Sequence, residues 1–394
     1  MYFEDLWILW VFVGGLICLA TSVSHGFGGD DPARPVDGVK QHLLLHPQPG
    51  NPRNSEGDLL QLTSGEWLLV WTAFTEGSGA DHDPASLRSM RFDEHTASWS
   101  SARTIVFPES GMNVMSVSLR RLPDQRIALF YLRKRSIVDC QPVVRFSSDE
   151  GVSWSDPVSV VPEEDVGYDV LNNDRVLLTP AGELILPVAR HAGVGMSPEF
   201  AAAGRLRCYR SSDGGASWTC GAWAPEVPGV MLQEPGLFID EAGSLRMYAR
   251  TNAGTQYFTR SDDGGKTFER PQPWTLRSPL SPATVRRLTD GRLLAIWNES
   301  PESSDVSRAP RTPLVAAISR NDGASWGKRH TLFQHEHGWY CYVSVDQSGG
   351  ELLLTTCAGD RRTGNGLQSL TVVALPLSHL GDPSSDEIAA PQPR

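Results

Sequence analysis

Ser147-Ser148-Asp149-Glu150-Gly151-Val152-Ser153-Trp154 has three close copies further along the chain. They are Ser211-Ser212-Asp213-Gly214-Gly215-Ala216-Ser217-Trp218, Ser261-Asp262-Asp263-Gly264-Gly265-Lys266-Thr267-Phe268 and Ser319-Arg320-Asn321-Asp322-Gly323-Ala324-Ser325-Trp326. A Ser, an acid or amide, a Gly and an aromatic recur at fixed offsets. A worn copy runs from Asp93 to Trp99. The copies lie about 50 to 65 residues apart, the period of a repeat architecture. The box itself reads as structural. Its Asp and Ser side chains can bond turn amides, Gly takes a positive φ, and the aromatic ring packs between strands.

Working outward, six segments share a second pattern of apolar strand, turn, apolar strand. They are Leu59–Trp71, Val117–Tyr131, Arg175–Val188, Leu237–Tyr248, Thr284–Trp297 and Val343–Thr355. Each reads as a β-hairpin with Gly or Asp in the turn. A box follows most of them. Hairpin, third strand, box and fourth strand make one unit. Six such units predict an all-β, six-bladed β-propeller of four-stranded blades. No convincing helix is found, although Ser197–Gly204 has room for one helical turn.

The chain has 394 residues, of which 40% are hydrophobic, and a formal charge of −11. Its longest basic cluster is Arg133-Lys134-Arg135. That argues against nucleic acid as a partner. The apolar run Leu6–Val23 predicts export. Residues 1–26 are read as a signal peptide or, if uncleaved, a membrane anchor, although no Lys or Arg precedes the run. Residues 27–40 read as a linker, 41–380 as the propeller and 381–394 as a tail. Cys208 and Cys220 flank one box, which suits either a disulfide or two small buried side chains. Neither CxxC nor a His pair at metal spacing occurs, so no metal is expected.

In a propeller the first strand of each blade lines the centre, so chemistry is sought just upstream of each hairpin. Polar and aromatic groups cluster there. Glu56, Asn173, Glu234 and Tyr340 each lie nine residues before the turn Gly, which predicts one level around the axis.

At these residues the chain resembles the exo-sialidases (neuraminidases) of the Asp-box branch, over about residues 40–380. The family order is an Arg, an Asp, a distant Glu, two further Arg and a Tyr. The resemblance implies Arg53, then Asp81 or Asp83, then Glu234, Arg250, Arg311, and Tyr340 or Tyr342. It implies an exo-α-sialidase that retains configuration through a tyrosine nucleophile, acts on sialylated glycans and needs no cofactor. Arginines suit a substrate carboxylate because their planar donors bind it in pairs and never lose their charge. A tyrosine suits a substrate that would repel a carboxylate nucleophile, and Glu234 would take its proton. Tyr340 and Tyr342 are expected on one strand face, both within reach of the pocket. Gly77 and Gly79 suggest a mobile flap carrying the acid. Asp81 is preferred there, because Asp83 precedes Pro84, and His82 is a further candidate. Gln233 and Asn173 join the substrate-binding set. The family's last-blade Glu, which braces the first Arg, has no counterpart; Glu56 or Asp58 is the expected replacement. A noncatalytic glycan-binding propeller and a glycosidase for another acidic sugar are the competing readings.

Overall fold

The second strand of most units is apolar on both faces, as in Trp67-Leu68-Leu69-Val70-Trp71-Thr72-Ala73-Phe74, where every residue is buried. Continuous apolar runs of this kind belong to sheets covered on both sides. The structure, a computed structural model, describes residues 31–109, 111–194, 196–300, 309–364 and 366–381. The expected signal segment and most of the tail lie outside them.

The fold is all-β. The first unit is built from Arg53–Gln61, Trp67–Phe74 and Ala85–Asp93, with Ser98–Trp99 and Arg103–Val106 outermost. Asn113–Arg121, Ile127–Lys134, Cys140–Ser147 and Val158–Ser159 form the second. The third has Leu177–Leu178, Leu184–Gly193, Arg205–Ser211 and Thr219–Cys220. Gly167–Val170 pairs with both of these units and joins them into one sheet. The fourth runs Leu232–Ile239, Leu245–Thr251, Thr255–Ser261, Gln272–Arg277. The fifth runs Thr284–Arg287, Leu293–Asn298, Leu314–Ser319, His330–Phe333. In the sixth, Gly338–Ser348, Glu351–Asp360 and Leu370–Pro376 are completed by Lys40–Leu45 from the opposite end of the chain.

All pairings within units are antiparallel. The innermost strand of the first unit touches those of the second and the sixth, and the contacts pass from the third to the fourth, fifth and sixth. Between the second and third units, the Asp174 amide donates to the Val117 carbonyl (2.9 Å) and the Arg175 amide to Ser118 Oγ (3.0 Å). Buried apolar clusters fill every junction between successive units, including the sixth with the first.

The boxes behave as read. Ser211 Oγ donates to Asp213 Oδ1 (2.7 Å) and accepts from the Gly215 amide (2.9 Å). Gly215 sits at φ +90°, and a Cβ there would have to push the Phe146 ring aside. Three expectations fail. Ser197–Gly204 is not helical; among the described residues two short 3₁₀ turns occur instead, at Glu163–Asp165 and Leu377–Leu380. Cys208 and Cys220 are both free thiols, because Cys220 stands opposite Tyr209 and its side chain points to the other face from Cys208. Residues 32–39 are not a loose linker. Ala33 and Val39 are buried against the last two units.

Candidate active site

Five innermost segments each place one non-glycine residue in the left-handed region: Glu56 (φ 54°), Ser116 (62°), Asp174 (55°), Glu234 (50°) and Tyr342 (58°). At four of them the strand register skips, between Ser55 and Asp58, Met115 and Ser118, Gln233 and Gly236, and Cys341 and Ser344. These are β-bulges, which bend the strand and re-aim a side chain. Each left-handed residue costs on the order of 1–2 kcal/mol, a strain that clusters at functional sites. Here the bulges turn Glu56, Ser116, Glu234 and Tyr342 into one cavity of about 290 Å³.

On one side, Tyr342 Oη donates to Glu234 Oε1 (3.1 Å). The other carboxylate oxygen of Glu234 is 2.7 Å from Arg250 Nη1. Arg250 is held by Gln233 Oε1, which accepts from its Nε (2.9 Å) and Nη2 (2.5 Å). Arg311 lies over the rings of Trp339 and Tyr342, and its Nη2 donates to the Leu280 carbonyl (3.2 Å). Among the described residues its buried Nε and Nη1 have no oxygen acceptor. Burial and the Glu234 charge push the Tyr342 hydroxyl well above its ordinary value, with Arg311 and Arg250 opposing. Tyr342 is therefore a neutral phenol at physiological pH.

Opposite stand Glu56 and Asp81. Ser116 Oγ donates to Glu56 Oε2 (2.6 Å), and Arg53 Nη2 to Glu56 Oε1 (3.0 Å). Glu56 thus braces Arg53, as expected of either Glu56 or Asp58. Asp58 instead accepts from the Leu119 amide (2.8 Å) and Arg120. Burial raises the Glu56 carboxyl, although Arg53 opposes it. Arg53 Nη1 also reaches Asp81 Oδ1 (2.6 Å) and the Gly79 carbonyl (3.2 Å), while Nε bonds Ser55. Its donors are satisfied by protein, and Arg53 does not line the cavity, whereas Arg250 and Arg311 do.

The flap residues separate clearly. Asp81 faces the cavity with its side chain 60% exposed. Asp83 turns away and closes its own loop, accepting from the Ser78 (2.8 Å) and Ala80 (2.9 Å) amides. His82 is exposed and meets Lys134 Nζ at 3.2 Å, outside the cavity. Neither Asp83 nor His82 lines the cavity.

Two further expectations are corrected. Tyr340 is 0% exposed, and its hydroxyl donates to the Pro32 carbonyl (2.7 Å), away from the cavity. The bulge at Tyr342 breaks the alternation that would have put both tyrosines on one face. Counting from the turn Gly also misled. The last hairpin closes through Gly349-Gly350 alone, whereas the first spans Leu62–Glu66. Asn173 does not line the cavity either. Its Nδ2 clasps the Gly57 and Tyr342 carbonyls, both at 2.9 Å, so it positions the tyrosine's backbone.

The sequence reading missed Ser116, Lys134 and an aromatic wall. In that wall Phe200, 51% exposed, stacks on His191 and meets Tyr168 edge-on. Ser116 is one residue before the hairpin read as beginning at Val117, so an earlier start would have found it. Lys134 was visible only as part of a basic triplet.

A family model described as "BNR repeat-like domain" matches residues 65–354. The chain belongs to the BNR repeat-like family. The architecture of this BNR protein is similar to a protein of unknown function from Dyadobacter fermentans (TM-score 0.65, 16% identity, covering 86% of this chain and 100% of that one). It is also similar to the NanB sialidase from Streptococcus pneumoniae (0.67, 12%, 87% and 71%). The intramolecular trans-sialidase from Ruminococcus gnavus is a third (0.64, 14%, 88% and 99%). At these identities the likeness establishes a sialidase-like fold for the BNR protein. No curated protein matches it by sequence. Among the described residues no His, Cys, Asp and Glu group is placed to hold a metal ion, and no helix is long and apolar enough to cross a membrane.

Proposed function

We propose that the six units close as a six-bladed β-propeller and that its cavity is the active site of an exported, retaining exo-α-sialidase acting on sialylated glycans. The observation that carries this reading is the Tyr342–Glu234 hydrogen bond, set between Arg250 and Arg311 and facing Asp81. A cavity of about 290 Å³ suits a single terminal sugar, at the small end of the ordinary range for ligand pockets.

In this reading Arg311, with two buried donors that lack an oxygen acceptor among the described residues, and Arg250 take the substrate carboxylate. Tyr342 Oη attacks the anomeric carbon while Glu234 accepts its proton. Asp81 protonates the departing glycosidic oxygen. Water then attacks the anomeric carbon, giving a proton to Asp81, and the tyrosyl–sugar bond breaks with the proton returning from Glu234 to Tyr342. A neutral phenol needs a partner to remove its proton during attack, and Glu234 is the group in contact.

A second reading, a glycosidase for a different acidic sugar, is favoured by one observation. Arg53 is spent on Glu56, Asp81, Gly79 and Ser55, so two arginines rather than three face the cavity.

The test is release of 4-methylumbelliferone from its α-sialoside by the full chain between pH 4 and 8. Turnover is expected. None with the sialoside, but turnover with aryl glycosides of other acidic sugars, would replace the first reading by the second.

A further inference from the structure

Lys134 ends the second strand of the second unit and is 2% exposed, yet it lines the cavity. Among the described residues no carboxylate forms an ion pair with it. A buried ammonium without a counter-ion is costly unless it is hydrogen-bonded and serves another group. Its Nζ donates to the Asp81 carbonyl (2.7 Å) and meets His82 Nδ1 (3.2 Å), above the Tyr168 ring at 5.4 Å. Asn113, directly opposite Lys134 in the neighbouring strand, donates to the same Asp81 carbonyl (3.0 Å) and to that of Asp83 (2.8 Å). The loop that carries Asp81 belongs to the first unit, but the second unit holds it in place.

We propose that Lys134 is a positioning residue for the acid: from the neighbouring unit it fixes the Asp81 backbone and keeps a positive charge beside the Asp81 carboxylate. This rests on the reading of Asp81 as the proton donor. The groups around Asp81 are Arg53, Glu56, Lys134, His82 and Tyr168. Partial loss of hydration in the cavity raises its carboxyl, but the Arg53 charge and hydrogen bond, then Lys134 and His82, outweigh that and hold it below the usual carboxylate range. An acid must carry its proton to act, so activity is lost as pH rises through that lowered value. Removing the Lys134 charge raises it and extends activity to higher pH.

The experiment is a carbon-13 titration of the aspartate carboxyls in the full chain, with Asp81→Asn identifying the Asp81 signal. Lys134→Met should raise the Asp81 midpoint by about half a pH unit or more, and Lys134→Arg should return it towards wild type. On a sialyl-oligosaccharide, whose leaving group needs a proton, the basic limb of kcat/KM should move by the same amount in Lys134→Met. Identical Asp81 midpoints in wild type and a folded Lys134→Met overturn the proposal, as does a raised KM with an unmoved limb, which would make Lys134 a ligand contact. If Lys134→Met does not fold, Lys134→Gln carries the same comparison. The titration needs no turnover, so an inactive wild type would sink the sialidase reading and leave Lys134 to be decided separately.

Discussion

At the scale of single residues, two tyrosines separated by one position have opposite fates. Tyr342 sits on a bulge and bonds Glu234, whereas Tyr340 is buried and bonds the Pro32 carbonyl. Tyr342→Phe removes the proposed nucleophile and should lower kcat by about 10³-fold or more, with little change in melting temperature. Tyr340→Phe should keep kcat while losing one buried hydrogen bond, on the order of 1 kcal/mol of stability and rather more if the Pro32 carbonyl stays unpaired. Steady-state kinetics and thermal melts on both variants check this. Equal activities would remove Tyr342 from the mechanism. The family resemblance singled out Glu234, Arg250 and Arg311, which line the cavity, and Arg53, which does not. The choice within Tyr340/Tyr342 and Asp81/Asp83 was not legible in the chain, because it depends on where a side chain points.

At the scale of elements, the boxes and hairpins were legible because their signals are local and glycine marks their turns. The bulges were not. Their left-handed residues are Glu56, Ser116, Glu234 and Tyr342, none of them the Gly or Asn that ordinarily marks a positive φ, so the strand starts could not be aligned by counting alone. The boxes lie on strand ends remote from the cavity, and their energetics can be tested separately from chemistry. Ser211→Ala leaves the buried Gly215 amide unsatisfied and frees one bond to Asp213. The expected cost is about 1–3 kcal/mol, with activity per folded molecule unchanged. The Ser217 hydroxyl, the Ser217 amide and the Ser211 hydroxyl hold the Asp213 carboxyl down at about 2, from an ordinary value of 3.8. A depressed carboxyl stabilises the fold above its unfolded value, and that contribution fades as pH falls through about 2. The Ser211→Ala defect in urea midpoint should therefore be full at pH 7 and smaller near pH 2. A defect that does not change with pH would separate Ser211 from the Asp213 charge.

At the scale of the molecule, the pairing that completes the sixth unit was not legible. Lys40–Leu45 meets Leu370–Pro376 from the far end of the chain, and no local period announces so distant a partner. The same scale has a polar counterpart to the apolar seams. Asp174, from the third unit, accepts from Arg120 of the second (2.7 Å), from Arg286 of the fifth, and from the Val345 amide of the sixth (2.9 Å). One buried carboxylate thus ties together elements from four units, next to the Asn173 that clasps Tyr342. Burial raises the Asp174 carboxyl, but the Arg286 and Arg120 charges outweigh it and bring it down to about 2, so it is ionised throughout the physiological range. Removing one partner of a buried ionic network leaves the others uncompensated, at a cost of about 3–5 kcal/mol. Asp174→Ala should therefore lower the melting temperature by about 4–7 °C in a chain of this size. Asp174→Asn keeps a hydrogen-bonding oxygen without the charge and should lose less. Because the contacts cross unit boundaries, the loss should appear as one cooperative transition moved to lower temperature, not as an early step in a split melt. A melting temperature within about 1 °C of wild type in Asp174→Ala would mean that the apolar seams alone hold the units together.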